Sequence, residues 1–150
     1  MKPKNKSHLL VSLLIISILA FVPKYAFASN ADLKLMYKDN SDKKIEAPDA
    51  NQYYLKNKIG KYHELKNADI NIREKTLYAK TFKIIEKKLK NHEFLVRKYN
   101  QNKLSHVSPD RQVYFFYTLK VGGDYKIQSK LAIVDVETQD ILLEKETIAY

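Results

Sequence analysis

Residues 112–148 read QVYFFYTLKVGGDYKIQSKLAIVDVETQDILLEKETI, and this stretch decides the predicted fold. Gly122-Gly123 is a two-residue loop of the kind that joins hairpin strands. Residues 125–136 are predicted as the second strand and residues 141–148 as the third, after a four-residue turn. Side chains alternate along a strand. One face of the first strand therefore carries Val113, Phe115, Tyr117, Leu119 and Val121.

A helix is predicted upstream of this meander, from Asn71 to about His92. Asn71 is a residue type that caps helix N-termini, and Glu74 three positions later completes a capping box. An apolar stripe with helical spacing then predicts one face packed against a core. The stripe consists of Tyr78, Phe82, Ile85 and Leu89.

Two further strands complete the prediction. Residues 52–65 contain apolar and aromatic side chains in a ragged alternation, and residues 94–96 are a short apolar run. Pro109 separates these elements from the meander. The predicted class is α+β, with one main helix packed on a mostly antiparallel sheet. The predicted order is strand, helix, strand and then a three-strand meander, all within residues 52–150.

The first 28 residues have the three parts of a secretory signal peptide. Lys2, Lys4 and Lys6 are basic, residues 9–22 are an apolar run, and Ala26-Phe27-Ala28 has the small residues that signal peptidase recognises. We expect cleavage after Ala28, which places the mature chain in the periplasm or outside the cell without a stable membrane anchor. The alternative is an uncleaved anchor, although a spanning helix needs about 20 apolar residues.

Cleavage after Ala28 leaves a polar leader or linker at residues 29–51 and reduces the charge. The removed segment contains four lysines and no acidic residue, so 23 basic and 17 acidic side chains remain, a formal net charge of +6. An exported basic protein is expected to meet acidic protein surfaces or anionic envelope polymers rather than nucleic acid.

The composition excludes most kinds of catalytic site. Glycine occurs only at positions 60, 122 and 123, so the chain has no phosphate-binding or dinucleotide-binding fingerprint. It has no cysteine, which excludes a thiolate nucleophile, a disulfide and lipid attachment. His63, His92 and His106 lack the spacing of metal ligands. We therefore predict a protein that is not an enzyme and that has no catalytic residue, cofactor or metal site.

The aromatic content predicts a binding face. Tyr114 and Phe116 lie on the opposite face of the first meander strand, which a single helix leaves uncovered. Basic residues near the helix end are expected to attract an acidic partner: Lys87, Lys88, Lys90, Arg97 and Lys98. The alternative is that Tyr53 and Tyr54, or the leader, cover the aromatic face. In that case the binding surface is expected in the loops around residues 100–110.

Several stretches together resemble a known family. In order along the chain they are ADINIRE at residues 68–74, IIEKKL at residues 84–89, FLVR at residues 94–97 and YKIQSKLAIVDVETQDILLEKE at residues 125–146. They are similar to the penicillin-binding-protein activator family, LpoB, and to the related CsgG-like domains of curli export. The chain differs in having Gln139 where the family hairpin has glycine, so the turn is expected to be strained or of another type.

The resemblance implies a non-enzymatic envelope protein that binds another envelope protein. Its first candidate partner is a peptidoglycan synthase, whose activity it would regulate. The alternatives are an accessory subunit of a secretion or surface-fibre assembly, or a small secreted inhibitor or hydrolase with no recognisable site.

Overall fold

A computed structural model describes residues 35–122 and 126–150, and the predicted signal peptide and its cleavage site lie outside them. Within these described residues, three helices and four strands follow one another. In order they are α1 (Ala50–Lys56), β1 (Ile70–Leu77), α2 (Tyr78–Lys88), α3 (Glu93–Asn100), β2 (Gln112–Val121), β3 (Ile127–Asp135) and β4 (Ile141–Ala149).

The strands form one antiparallel sheet in the order β1-β2-β3-β4. Ile70 pairs with Leu119 at one end of the β1–β2 ladder and Leu77 pairs with Gln112 at the other. The predicted α+β class is confirmed, and so are the three strands of the meander. The loop between β2 and β3 is longer than the predicted two residues, because Val121 pairs with Ile127. Residues 122–126 make this connection, and the Gly122 N–H donates to the Lys126 carbonyl over 3.0 Å.

The segments before the meander differ from the prediction. Residues 52–65 are not a strand: α1 occupies Ala50–Lys56, and the Asp49 side chain caps it by accepting the Gln52 N–H over 2.9 Å. Short apolar runs do not distinguish helix from strand, and here the spacings of three and four residues from Ala50 to Tyr53 and Tyr54 are helical. The Asp49 cap supplies the start signal that the strand prediction overlooked.

The predicted capping box at Asn71 and Glu74 is also wrong. Both residues lie in β1, whose backbone is paired along its whole length with β2. Helix α2 begins only at Tyr78, after Leu77, without a side-chain cap. Residues 94–96 lie in helix α3 rather than in a strand. Leu95 and Tyr99, four positions apart, bury one face of that helix.

The predicted apolar stripe on α2 is confirmed. Tyr78, Ile85 and Leu89 are buried, and Phe82 is half-buried. Together with α3 they cover one face of the sheet. The buried side chains that share this core are Ile72, Leu95, Tyr99, Val107, Val113, Phe115, Tyr117, Leu119, Leu131 and Ile133.

The stripe predicts that alanine substitutions at two nearby positions on α2 change the free energy of unfolding by very different amounts. Ile85 is 0% exposed, so Ile85→Ala is expected to lower the free energy of unfolding by about 2–5 kcal/mol. Lys87 is exposed, and Lys87→Ala is expected to change it by less than about 0.5 kcal/mol. Urea unfolding of both variants measures this. Equal shifts would show that the helix phase is wrong.

The opposite face of the sheet is covered as well. Tyr114 and Phe116 are each 0% exposed, so they do not form the free aromatic face that the sequence predicted. The Tyr53 ring stacks on Tyr114 with centroids 4.2 Å apart. The Tyr54 and Tyr62 rings each lie 5.9 Å from Phe116. The alternative, in which Tyr53 and Tyr54 cover this face, is confirmed.

Hydrogen bonds attach the loop after α1 to this face of the sheet. The Glu144 carboxylate of β4 accepts the Lys61 N–H over 2.7 Å. Gly60 has φ 52°, a left-handed backbone conformation that favours glycine. Arg73 of β1 binds Glu64 through two hydrogen bonds of 2.6 and 2.7 Å. These contacts hold Tyr62 against the sheet.

A buried ion pair joins the loop before β2 to the end of β3. Arg111 Nε and Nη2 donate to the two carboxylate oxygens of Asp135 over 2.5 and 2.9 Å. Arg111 Nη1 donates to the Lys38 carbonyl over 3.0 Å and lies 2.8 Å from Glu137 Oε2. Asp135 is 0% exposed and Arg111 is 5% exposed, so this network is strongly shielded from water.

The same network fixes residues that the sequence assigned to the polar leader. Asn40 is buried, and its side-chain oxygen accepts the Gln112 N–H over 2.7 Å. Tyr37 forms a parallel bridge with Val107, and its hydroxyl donates to Asp140 over 3.0 Å. The packed domain therefore begins before the predicted boundary at Gln52.

The turn between β3 and β4 has the strained conformation that the missing glycine suggested. Gln139 has φ 66°, in the left-handed region that favours glycine. Its side-chain amide donates to the Val136 carbonyl over 2.6 Å, which offsets part of the cost. The Asp135 carboxylate also supports the turn by accepting the N–H groups of Glu137 and Thr138 over 2.9 and 2.8 Å.

Gln139→Gly is therefore expected to be more stable than Gln139→Ala by about 1 kcal/mol. Both variants lose the amide bond to the Val136 carbonyl, and only glycine adopts this φ without strain. Thr138→Gly in the same turn is the control. Thr138 has no positive φ to relieve, so its replacement is expected to lower stability. Thermal unfolding of the three variants tests this, and a Gln139→Gly variant no more stable than Gln139→Ala would contradict it.

Candidate protein-binding groove

A groove of about 600 Å³ lies between the first half of α2 and the loop at residues 103–109. We call it the α2 groove. Most of its lining is apolar, and five lining residues come from the loop where the sequence placed its alternative binding surface. The lining side chains are Leu35, Tyr78, Ala79, Phe82, Lys83, Glu86, Lys103, Leu104, Ser105, Val107 and Pro109.

Hydrogen bonds between hydroxyl groups and the backbone fix the position of Tyr78, which lines the α2 groove. Tyr78 Oη accepts the Leu104 N–H over 2.7 Å, which ties the loop to α2. Tyr99 Oη donates to Thr81 Oγ1 over 2.7 Å, and Thr81 Oγ1 donates to the Tyr78 carbonyl over 2.7 Å. Burial raises the pKa of Tyr78, and the bond from Leu104 partly offsets that rise. The tyrosine therefore stays neutral at physiological pH and serves as a fixed structural acceptor.

Lysines form part of the rim. Lys103 Nζ lies 5.1 Å from the centroid of the Phe82 ring, a cation–π distance. Lys83 and Lys103 are both exposed, and Glu86 is the acidic side chain among the lining residues. The α2 groove thus offers apolar area at its floor and positive charge at its edge.

The five basic residues predicted to attract a partner lie on α2, on α3 and in the turn between them. Lys90 and Arg97 line a second depression of about 320 Å³ with Glu86, Glu93 and Val96. Lys98 Nζ lies 5.2 Å from the centroid of the Phe94 ring. Lys87 and Lys88 are exposed on α2. The structure therefore places all five on the two-helix layer, and their part in partner binding stays a prediction.

Tyr114 and Phe116 are not part of this surface. They lie in the core on the other side of the sheet, packed under α1. Ala79, Phe82 and Leu104 were not predicted from the sequence as surface residues of a binding site. The available signal was the loop at residues 100–110, whose Leu104 and Val107 are apolar within a polar stretch.

No group of three or more metal-ligating side chains occurs within residues 35–122 and 126–150. In the same part of the chain, no helix has the length and apolarity needed to cross a membrane. Comparison with family models, curated proteins and solved structures found no match to this chain.

Proposed function

We propose that this chain is an exported, non-enzymatic domain that binds another protein of the cell envelope through the α2 groove. One observation supports the proposal above all. The α2 groove combines about 600 Å³ of largely apolar space with lysines at its rim. Exposed apolar concavities rimmed by polar residues are typical of sites that bind proteins or other ligands.

The side chains of the α2 groove indicate the chemical character of a segment that would bind there. Phe82 and Leu104 offer apolar contact area, and aromatic side chains in such sites commonly contribute a large share of binding energy. Lys83 and Lys103 favour acidic side chains at the flanks of the bound segment. Such rim charges mainly raise the association rate, and added salt weakens their effect.

The resemblance to the LpoB family supports a peptidoglycan synthase as the first candidate partner. In this reading the domain regulates the synthase by contact and supplies no catalytic group. The resemblance to CsgG-like domains supports the second candidate, an accessory role in a secretion or surface-fibre assembly. The groove geometry is compatible with both partners, so the partner's identity distinguishes them.

A synthase assay tests the proposal. The mature chain, beginning at Ser29, is added to a purified peptidoglycan synthase from the same source, and glycan polymerisation is measured. We expect a change in rate with the wild-type chain and at least a tenfold higher half-effective concentration with Ala79→Glu/Lys83→Glu. Both positions are exposed, so the double variant is expected to fold.

Leu55→Glu is the matched control. Leu55 is 77% exposed on α1, on the opposite layer of the sheet, and its variant is expected to behave like the wild type. No effect of the wild-type chain on any synthase would contradict the regulator role. An effect that Ala79→Glu/Lys83→Glu leaves unchanged would contradict the α2 groove as the site.

A further inference from the structure

The charge of this domain is concentrated on one layer. Residues 78–107, which contain α2 and α3, carry eight basic and two acidic side chains, a formal net charge of +6. The predicted mature chain also has a net charge of +6, so the remainder is neutral. The two acids of the segment, Glu86 and Glu93, line one depression together with Lys90 and Arg97. Lys87, Lys88 and Lys98 lie outside that depression.

We propose that this layer also binds the surface of an anionic phospholipid membrane. The contact surface consists of Lys87, Lys88, Lys90, Arg97 and Lys98 with the exposed aromatic ring of Phe94, and we call it the basic corner. Basic clusters on helices bind anionic headgroups, and apolar side chains such as Phe beside them insert at the boundary between headgroups and acyl chains. This proposal does not depend on which protein occupies the α2 groove.

The basic corner also has an apolar component. Phe94 is 46% exposed although it is a large aromatic side chain, and Lys98 lies over its ring. An apolar side chain beside cations favours binding to an anionic membrane, which supplies both negative charge and an apolar interior.

An acidic protein is the competing partner for the basic corner. The positive charge is spread over two helices and the turn between them, and Phe94 lies in that turn region at the start of α3. The depression there is small, about 320 Å³, and it is lined by both signs of charge. A broad anionic surface matches this arrangement better than a single acidic segment does.

Vesicle binding tests the proposal with the chain beginning at Ser29. Co-sedimentation is measured with vesicles of phosphatidylglycerol and phosphatidylcholine, and with phosphatidylcholine alone. We expect binding only to the anionic vesicles, weakened by salt. Because each basic side chain near such a surface contributes about fivefold in affinity, Lys87→Glu/Lys88→Glu/Lys90→Glu is expected to lose at least 100-fold. The control, Lys56→Glu/Lys58→Glu/Lys61→Glu, makes the same charge change on the other layer and is expected to lose less than fivefold.

A fluorescence measurement locates the contact independently. The chain has no tryptophan, so Phe94→Trp and Leu55→Trp each introduce a single reporter. Anionic vesicles are expected to shift the emission of Phe94→Trp to shorter wavelength and to leave Leu55→Trp unchanged. The proposal is overturned by an absence of binding to anionic vesicles, by equal losses in the two charge-reversal variants, or by binding to polyglutamate without binding to vesicles.

Discussion

Replacing Asp135 with alanine is expected to lower the free energy of unfolding by about 3–5 kcal/mol, because it leaves the Arg111 guanidinium buried without its partner. The carboxylate also accepts two backbone N–H groups of the β3–β4 turn, and these bonds are lost with it. Urea unfolding measures the effect. The control is Asp140→Ala, which removes an exposed carboxylate from the same turn. A loss below about 1 kcal/mol in Asp135→Ala would contradict the assigned role of the ion pair.

The same carboxylate predicts a pH dependence of stability. Burial raises the pKa of Asp135, but the hydrogen bonds from Arg111, Thr138 and Glu137 and the Arg111 charge outweigh it, so the pKa lies below its ordinary value. A group with a lowered folded-state pKa stabilises the fold above its unfolded-state pKa. That stability is lost as pH falls below about 4. Wild-type stability is expected to fall through this window more steeply than that of Asp135→Asn.

Phe116→Ala is expected to lower the free energy of unfolding by about 3–5 kcal/mol, the usual range for a buried phenylalanine. Phe116 is 0% exposed, and the rings of Tyr53, Tyr54 and Tyr62 surround it. Its removal leaves a cavity that these fastened rings cannot fill. The measurement is the urea midpoint, and the control is Leu55→Ala at a 77% exposed position, expected to change stability by less than about 0.5 kcal/mol. A stable Phe116→Ala variant would restore this face as a free surface.

Local patterns predicted the parts of the fold that repeat regularly over many residues. Alternation over ten residues identified β2, and the stripe from Tyr78 to Leu89 identified the buried face of α2. The same approach failed at α1, β1 and α3, which have seven or eight residues each. In such short segments a few apolar side chains fit both periods, and tertiary pairing decides between them. For β1 the deciding factor is its ladder with β2, which no local pattern encodes.

The candidate site was harder to predict for the same reason. Alternation correctly placed Tyr114 and Phe116 on a second face, but the side chains that cover them come from Tyr53 to Tyr62, more than fifty residues earlier in the chain. Arg111 and Asp135 are likewise joined across 24 residues. Neither has a sequence motif, since an isolated arginine before a strand is an ordinary surface residue. Only the alternative placement, in the loop at residues 100–110, coincides with the α2 groove.

Site-specific cross-linking in living cells tests most directly whether the α2 groove binds an envelope protein. A photoreactive amino acid replaces Lys83 at the rim of the α2 groove or, as the control, Leu55 on the opposite layer, and cross-linked proteins are identified by mass spectrometry. Binding through the α2 groove predicts a discrete adduct with one envelope protein from position 83, lost when Ala79→Glu is added, and none from position 55. An adduct from position 55 with none from position 83 would contradict it.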